Sequence, residues 1–277
     1  MKFISIRQRK TKFSNLHKRN ISSLTFPEDV SSTTNSMDSK QSEQVTLLQL
    51  REFCNLFHIN LTEMQIYRYA CFHEFDYDPA RKAIEKSYDS PYLSLRMSGR
   101  MVDQFQTRAM LPLHGLRSKQ RSQVIYMHAK RHLHTKENSK LFIDSLYYLL
   151  NDMSRTQDDC RNGVCVVVNM KGYGMKNYDL DTVIQAAKAA EGSMIPTRFT
   201  DVLFVDAPKV FMNGWKLLRP MLAPWLARKV HFIKPDKLDM FLMEGYEEFL
   251  PQELGGWKNS TELVEDYVDK KIYEERS

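Results

Sequence analysis

Apolar residues repeat along this chain with two different periods, and the change from one to the other divides it. From Glu43 to about Gly99 the step is three or four: Val45, Leu47, Leu48, Leu50, Phe53, Leu56 and Phe57 recur in this way, and Met64, Tyr67, Ala70 and Cys71 do so again after a Leu61-Thr62-Glu63 start. The spacing predicts two helices. Pro79, with its preset φ, opens a third, with Asp78 as its N-cap. Beyond Gly99, Val124, Tyr126 and His128 alternate with Ile125, Met127 and Ala129, which suits a strand, and Lys140 to Met153 returns to helical spacing. Gly163 to Met170 is an apolar run of the kind expected in a strand buried on both faces. A helix from about Leu180 to Glu191, closed by Gly192, precedes a strand from Asp201 to Val205. Strands and helices alternating in this order predict an α/β layered domain with a largely parallel sheet.

Pro208 then stands in the first turn of another helix, with Asp206 near enough to accept bonds from its orphan amides. Phe211, Trp215, Leu218 and Leu222 form one stripe on that helix, and Leu217, Met221 and Trp225 form a second beside it. An apolar arc this wide covers something large and greasy. Core packing alone would account for the periodicity. Pro220, Pro224 and Gly214 nevertheless weaken the helix and make it easier to swing, and Met212 and Met221 can repack around an irregular chain. The stretch from Asn259 to Ser277 reads as a charged terminal helix capped at Ser260 or Thr261.

Composition narrows the classes. The 277 residues suffice for one well-filled core with a helical extension or for two small domains, and 42% hydrophobic with 27% charged residues is ordinary for a soluble protein. The longest wholly apolar run, Val164 to Val168, is far short of the ~18–20 residues of a membrane span. The net charge of +6 has a local origin: seven of the 40 basic residues lie in positions 1–27 with no acid, leaving 33 against 34 acids elsewhere. A single basic tail is a poor nucleic-acid footprint, so no nucleic-acid partner is expected. Residues 1–42 are expected to be disordered, as a solvated tail or equally as a targeting peptide or electrostatic tether. Cys54, Cys71, Cys160 and Cys165 form no metal spacing and read as free thiols of a reducing compartment.

Little in the chain suggests chemistry. His128, His132 and His134 share no helical face, no acid or cysteine completes a metal set, and they read as solvated loop histidines. Gly172-Tyr173-Gly174 lacks the third glycine and the lysine of a phosphate loop, and no G-x-S-x-G elbow is present. Hence no catalytic residue, no metal, no cofactor and no enzyme activity are expected.

Several segments carry a resemblance to a known family. Phe204 to Leu222 reads as a strand turning into an apolar-faced helix, Asn169-Met170-Lys171-Gly172 looks like a strand-ending motif, and Pro196-Thr197-Arg198-Phe199 resembles a "Pro-Glu-Arg-Leu" element. Arg219-Pro220-Met221-Leu222 is similar to "Lys-Pro-Phe-Leu", and Arg228-Lys229-Val230-His231-Phe232 to a Lys-led strand. Leu250-Pro251-Gln252-Glu253-Leu254-Gly255-Gly256 resembles "Leu-Pro-x-Glu-x-Gly-Gly". In order, these resemble the CRAL-TRIO lipid-binding domain, the family of phosphatidylinositol/phosphatidylcholine transfer proteins and of retinaldehyde and tocopherol carriers. Tyr67 to Asp78 resembles the family's helical lead-in, with Cys71, His73 and Glu74 where its basic cluster would be.

The resemblance implies a mixed, largely parallel sheet with helices and a lid helix over a lipid pocket, preceded by a small all-helical subdomain. The parts would be a tail (1–42), the helical subdomain (43–100), the α/β lipid-binding domain (101–257) and a C-terminal helix (258–277). It further implies that a lipid or other lipophile meets Tyr126, Val166, Val168 and Phe204 from the sheet, Phe211, Trp215, Leu218, Leu222 and Trp225 from the lid, and Lys229 at the head of the next strand. Phosphoinositide-recognising members pair such a Lys with a Glu where this chain has Thr197, so the acceptor for inositol hydroxyls is missing; Lys229 is open to a phosphate under the resemblance and otherwise reads as a solvated strand-edge lysine. The function implied is lipid binding with transfer or presentation between membranes. The alternative is a membrane-docking signalling or trafficking adaptor with a structural lipid. A monomer is expected, cytoplasmic and peripheral to a membrane surface, with organelle targeting by the basic N-terminus left open.

Overall fold

The computed structural model describes residues 35–192 and 194–276. The first described helix, α1 (Asn35–Leu56), begins within the stretch expected as tail, and the rest of that expectation, residues 1–34, lies outside the described residues. Helix α2 (Glu63–Phe72) starts at a capping box in which the Thr62 hydroxyl accepts from Gln65 N and the Gln65 side chain accepts from Thr62 N. Helix α3 (Tyr77–Ser87) begins two residues before the expected Pro79, and its cap is Asp76, which accepts from Asp78 N at 3.2 Å. Pro79 is tolerated in the first turn because its missing N–H would have had no partner there. Helix α4 (Gly99–Gln106), capped by Ser98, then leads into the sheet.

Five strands lie in chain order: β1 (Met110–Arg117), β2 (Gln123–His128), β3 (Val164–Asn169), β4 (Phe199–Val205) and β5 (Val230–Ile233). The pair β1–β2 is antiparallel and the other three pairs are parallel. Strand β1 is absent from the sequence reading because Pro112 and Gly115 argue against a strand; an edge position accommodates both, with the ladder irregular between Pro112 and Arg117. Gly115 has φ +89°, and a Cβ there would lie 2.6 Å from the Phe249 ring. Helices α5 (Lys136–Asp152) and α6 (Gln157–Asn162) connect β2 to β3, and α7 (Leu180–Ala190) connects β3 to β4. Between β4 and β5 the chain forms α8 (Lys209–Leu218), a 3₁₀ turn (Arg219–Met221) and α9 (Pro224–Ala227).

Helix α10 (Ser260–Arg276) packs on α4 and β1. Its cap is Asn259, whose Oδ1 accepts from Thr261 N at 2.9 Å, whereas Ser260 donates to Glu253 Oε1. A buried charge cluster fastens it: Lys271, 3% exposed, stands 2.7 Å from Asp152 Oδ1, and Tyr267 donates to Asp152 Oδ2. The described residues from Gln41 onward form one compact unit.

Candidate functional site

Strand β4 shows where the interior is hollow. A strand with neighbours on both sides and helices above should be buried throughout, yet β4 alternates, with Thr200, Val202 and Phe204 retaining accessible surface. The pairing register aligns Met127, Val168 and Phe204 in one row across the sheet and Val166, Val202 and Val230 in the next. All six line a cavity of about 350 Å³. Opposite them stand Phe142 and Leu146 of α5, Val183 and Ala187 of α7, and Phe211, Trp215 and Leu218 of α8.

The cover is aromatic and broken. Phe204 lies 4.9 Å from Phe211, 6.1 Å from Trp215 and 5.5 Å from Phe232 between ring centroids, so sheet and cover meet through π contacts. Helix α8 has no side-chain cap: Pro208 occupies the N-cap position, and Asp206, at φ +56°, pairs with Lys234 Nζ at 3.0 Å instead of capping the amides. Pro220 and Pro224 then divide the remainder into two short pieces. One hydrogen bond ties the far end to the wall, from Ala223 N to Glu191 Oε1 at 2.9 Å.

One end of the cavity is polar, which the sequence reading did not foresee. His128 and His132 are both buried, not solvated, and only His134 is exposed. An acid does approach them: Asp179 Oδ2 stands 3.5 Å from His132 Nε2 and 3.0 Å from His134 Nδ1. That carboxylate also accepts from the Ser139 and Thr182 hydroxyls and from Thr182 N, and so caps α7. Burial opposes its charge, yet the bonds from Ser139, Thr182 and His134 outweigh burial and hold it well below the usual carboxylate range. Burial lowers the His132 pKa, partly offset by Asp179. With its lone pairs already engaged by hydroxyls and an amide, Asp179 is a helix cap and wall anchor, and the described residues contain no cluster suited to a metal ion.

Of the residues expected to meet a ligand, Val166, Val168, Phe204, Phe211, Trp215, Leu218 and Leu222 line this cavity. Three do not. Tyr126 is fully buried on the opposite face of the sheet, in the row of Val167, Leu203 and His231, with its hydroxyl bonded to Asn169 Nδ2. The alternation of β2 put Met127 on the cavity side, but both faces of this strand are apolar and the sequence alone did not rank them. Trp225 leaves the stripe because Pro220 and Pro224 break the helical period; its ring lies 6.4 Å from Phe72, outside the lining. Lys229 is half-buried and outside the cavity: its Nζ donates to the Phe199 carbonyl and sits 5.2 Å from the Trp225 ring, and burial lowers its pKa. Thr197, where the family's Glu would stand, is also buried, beside Arg68 and Arg198 and outside the lining.

Known proteins resemble this chain in sequence or in fold. The mouse and human tyrosine-protein phosphatases non-receptor type 9 (Mus musculus, Homo sapiens) are each 26% identical over 129 residues, 47% of this chain and 21% of theirs. The chain thus spans about a fifth of the length of these curated relatives. The crystal structure of Sfh5 superimposes with a TM-score of 0.57 at 12% identity, over 88% of this chain and 100% of that one, a likeness of fold. The model of the CRAL/TRIO domain matches residues 108–256, more than half of the sequence and the whole span from β1 to the turn before α10, and the chain therefore belongs to the CRAL/TRIO domain family.

Proposed function

We propose that this protein takes up one hydrophobic ligand, a phospholipid or another lipophile, beneath α8, and transfers or presents it between membranes without catalysing a reaction on it. The observation that carries the reading is the hollow sheet face itself: about 350 Å³, walled mainly by apolar side chains with one polar end at His132 and Asp179, within the ~300–1,000 Å³ of ligand pockets. Removing a chain of about sixteen carbons from water is worth on the order of 12 kcal/mol, at ~0.8 kcal/mol per methylene. A ligand held so firmly leaves by movement of its cover, and the cover is the proline-divided segment 208–227. Among the described residues no helix is long and apolar enough to cross a membrane, and the reading makes the protein a peripheral visitor on cytoplasmic membrane surfaces. Solvent extraction and mass spectrometry of the purified chain, beside Leu218→Trp, test it. A stoichiometric lipid that is reduced in the variant supports the reading, and a natively expressed chain with no lipid refutes it.

A second reading, a membrane-docking adaptor with a permanent lipid, draws support from the phosphatases, in which the matched segment is a minor part of a longer chain. Exchange of lipid between vesicles separates the two: the carrier exchanges and the adaptor does not.

A further inference from the structure

Two loops close one end of the cavity. The chain passes through His132 after β2 and through Tyr173 after β3, and Asn177 joins the two: its Nδ2 donates to the Lys130 carbonyl at 2.8 Å and the His132 carbonyl at 2.9 Å, and its Oδ1 accepts from Gly174 N at 3.2 Å. Tyr173 and His132 both line the cavity. The Tyr173 ring packs edge-on against Phe211 of the cover at 5.6 Å, and among the described residues its hydroxyl has no hydrogen-bond partner. Burial, with Tyr178 and Asp179 adding to it, pushes the Tyr173 pKa up to about 12, so the hydroxyl keeps its proton and can donate it in a hydrogen bond. Burial likewise favours neutral His132. Assigning its one ring proton to Nε2, which faces Asp179, leaves Nδ1 with a lone pair.

This end therefore offers one donor and one acceptor, the complement of a hydroxyl, which both accepts and donates. An anionic group meets the opposite. The Asp179 side chain is 2% exposed and its bonds keep it ionised, so a carboxylate or phosphate placed here would face a like charge with little water to screen it. The one ammonium in the lining, Lys188, stands near the C-terminal end of α7, whereas Asp179 caps the N-terminal end. Volume adds a second limit. At roughly 30 Å³ for each non-hydrogen atom, the share of one water in the liquid, about 350 Å³ holds on the order of a dozen atoms, which is room for one chain and not for the two of a phospholipid.

We infer that the cavity selects a single-chain lipophilic alcohol, with Tyr173 donating to its oxygen, His132 Nδ1 accepting its hydroxyl proton, and the Asp179 carboxylate turning away fatty acids and phosphates. The inference rests on the carrier reading for the presence of a ligand and adds the chemistry of that ligand's end. An ester or aldehyde satisfies the donor alone, and a hydrocarbon satisfies neither group.

Dodecan-1-ol and dodecanoate present one chain with two ends. Each is titrated calorimetrically at neutral pH into the full chain stripped of lipid on a hydrophobic resin, and uptake of phosphatidylcholine from vesicles is measured beside them by extraction. The alcohol is expected to bind at least about tenfold more tightly than the acid. Tyr173→Phe should cost the alcohol about fivefold while leaving urea unfolding unchanged, because the lost hydroxyl has no partner in the protein. Asp179→Asn keeps a capping side chain of the same shape and removes the charge, so it should bring the acid's affinity up toward the alcohol's. Equal or tighter binding of dodecanoate, or Tyr173→Phe without effect on the alcohol, would overturn the inference and leave the carrier standing. Stoichiometric uptake of phosphatidylcholine in preference to the alcohol would do the same. Failure of all three probes to bind would overturn the carrier reading and the inference with it.

Discussion

Glu191→Ala tests what holds the proposed cover in place. Glu191 Oε1 accepts one hydrogen bond from Ala223 N at 2.9 Å, where the cover returns to the wall just before Pro224. A hydrogen bond to a charged group is worth about 1.5–3 kcal/mol, and the half-buried setting of this carboxylate puts it at the low end, about 1.5 kcal/mol. The bond joins cover to wall and is broken when the cover lifts, so its loss lowers the opening barrier by that amount and speeds ligand release roughly tenfold. Global stability should barely change, because the cover opens locally. Stopped-flow dissociation of a fluorescent lipid into acceptor vesicles measures the rate, and the thermal midpoint supplies the control. Glu191→Gln keeps an acceptor oxygen and should restore most of the wild-type rate. Release from Glu191→Ala at the wild-type rate, with bound lipid undiminished, would show that this contact does not hold the cover.

Other predictions concern the frame around the cavity. Asp179→Ala removes the cap of α7 and leaves the Ser139 and Thr182 hydroxyls without their acceptor, and should cost about 2–3 kcal/mol in urea unfolding; a cost within error would remove Asp179 from the wall's support. Lys271→Met leaves Asp152 buried with Arg155 and Tyr267 as its remaining partners, for a loss of about 3 kcal/mol, and a neutral or stabilising result would show that the pair is dispensable. Burial lowers the pKa of His73, His114, His128 and His132, so folding favours their neutral forms. Their contribution is complete above the unfolded value of about 6.5 and is lost as pH falls through the folded values, so the calorimetric midpoint should drop between pH 7 and pH 5. The Asp179 carboxylate, depressed in the fold, adds nothing to that drop, because its stabilisation is lost only below the unfolded value of about 3.9.

What the sequence disclosed follows from where one period dominates. The short Val-rich run Val164–Asn169 favours a doubly covered strand, and the stripe of Phe211, Trp215 and Leu218 fixes which side of α8 faces inward, so the central sheet and the sheet and cover sides of the cavity were legible, while its α5 and α7 walls were not. Legibility failed where two patterns competed. Both faces of β2 are apolar, so Tyr126 and Met127 were indistinguishable as wall residues until the register was known. Strand β1 carries the breakers of a loop because its edge position tolerates them. Beyond Pro220 a helical wheel no longer describes the chain, which misplaced Trp225. The pairing of His132 with Asp179 joins residues 47 positions apart through the fold, and no local spacing announces it.

The hollow face of the sheet also has a mechanical side. Folded proteins yield to pressure in proportion to the internal space that unfolding eliminates, and about 350 Å³ in the middle of one compact unit is a large reserve of such space. An acyl chain that fills it makes the domain stiffer and raises the pressure at which it collapses, without adding one polar contact. The midpoint of pressure unfolding, followed by tryptophan emission, to which Trp215 against the cavity wall contributes beside Trp225 and Trp257, would therefore rank preparations by how fully they are loaded, and would do so for a lipophile of any headgroup.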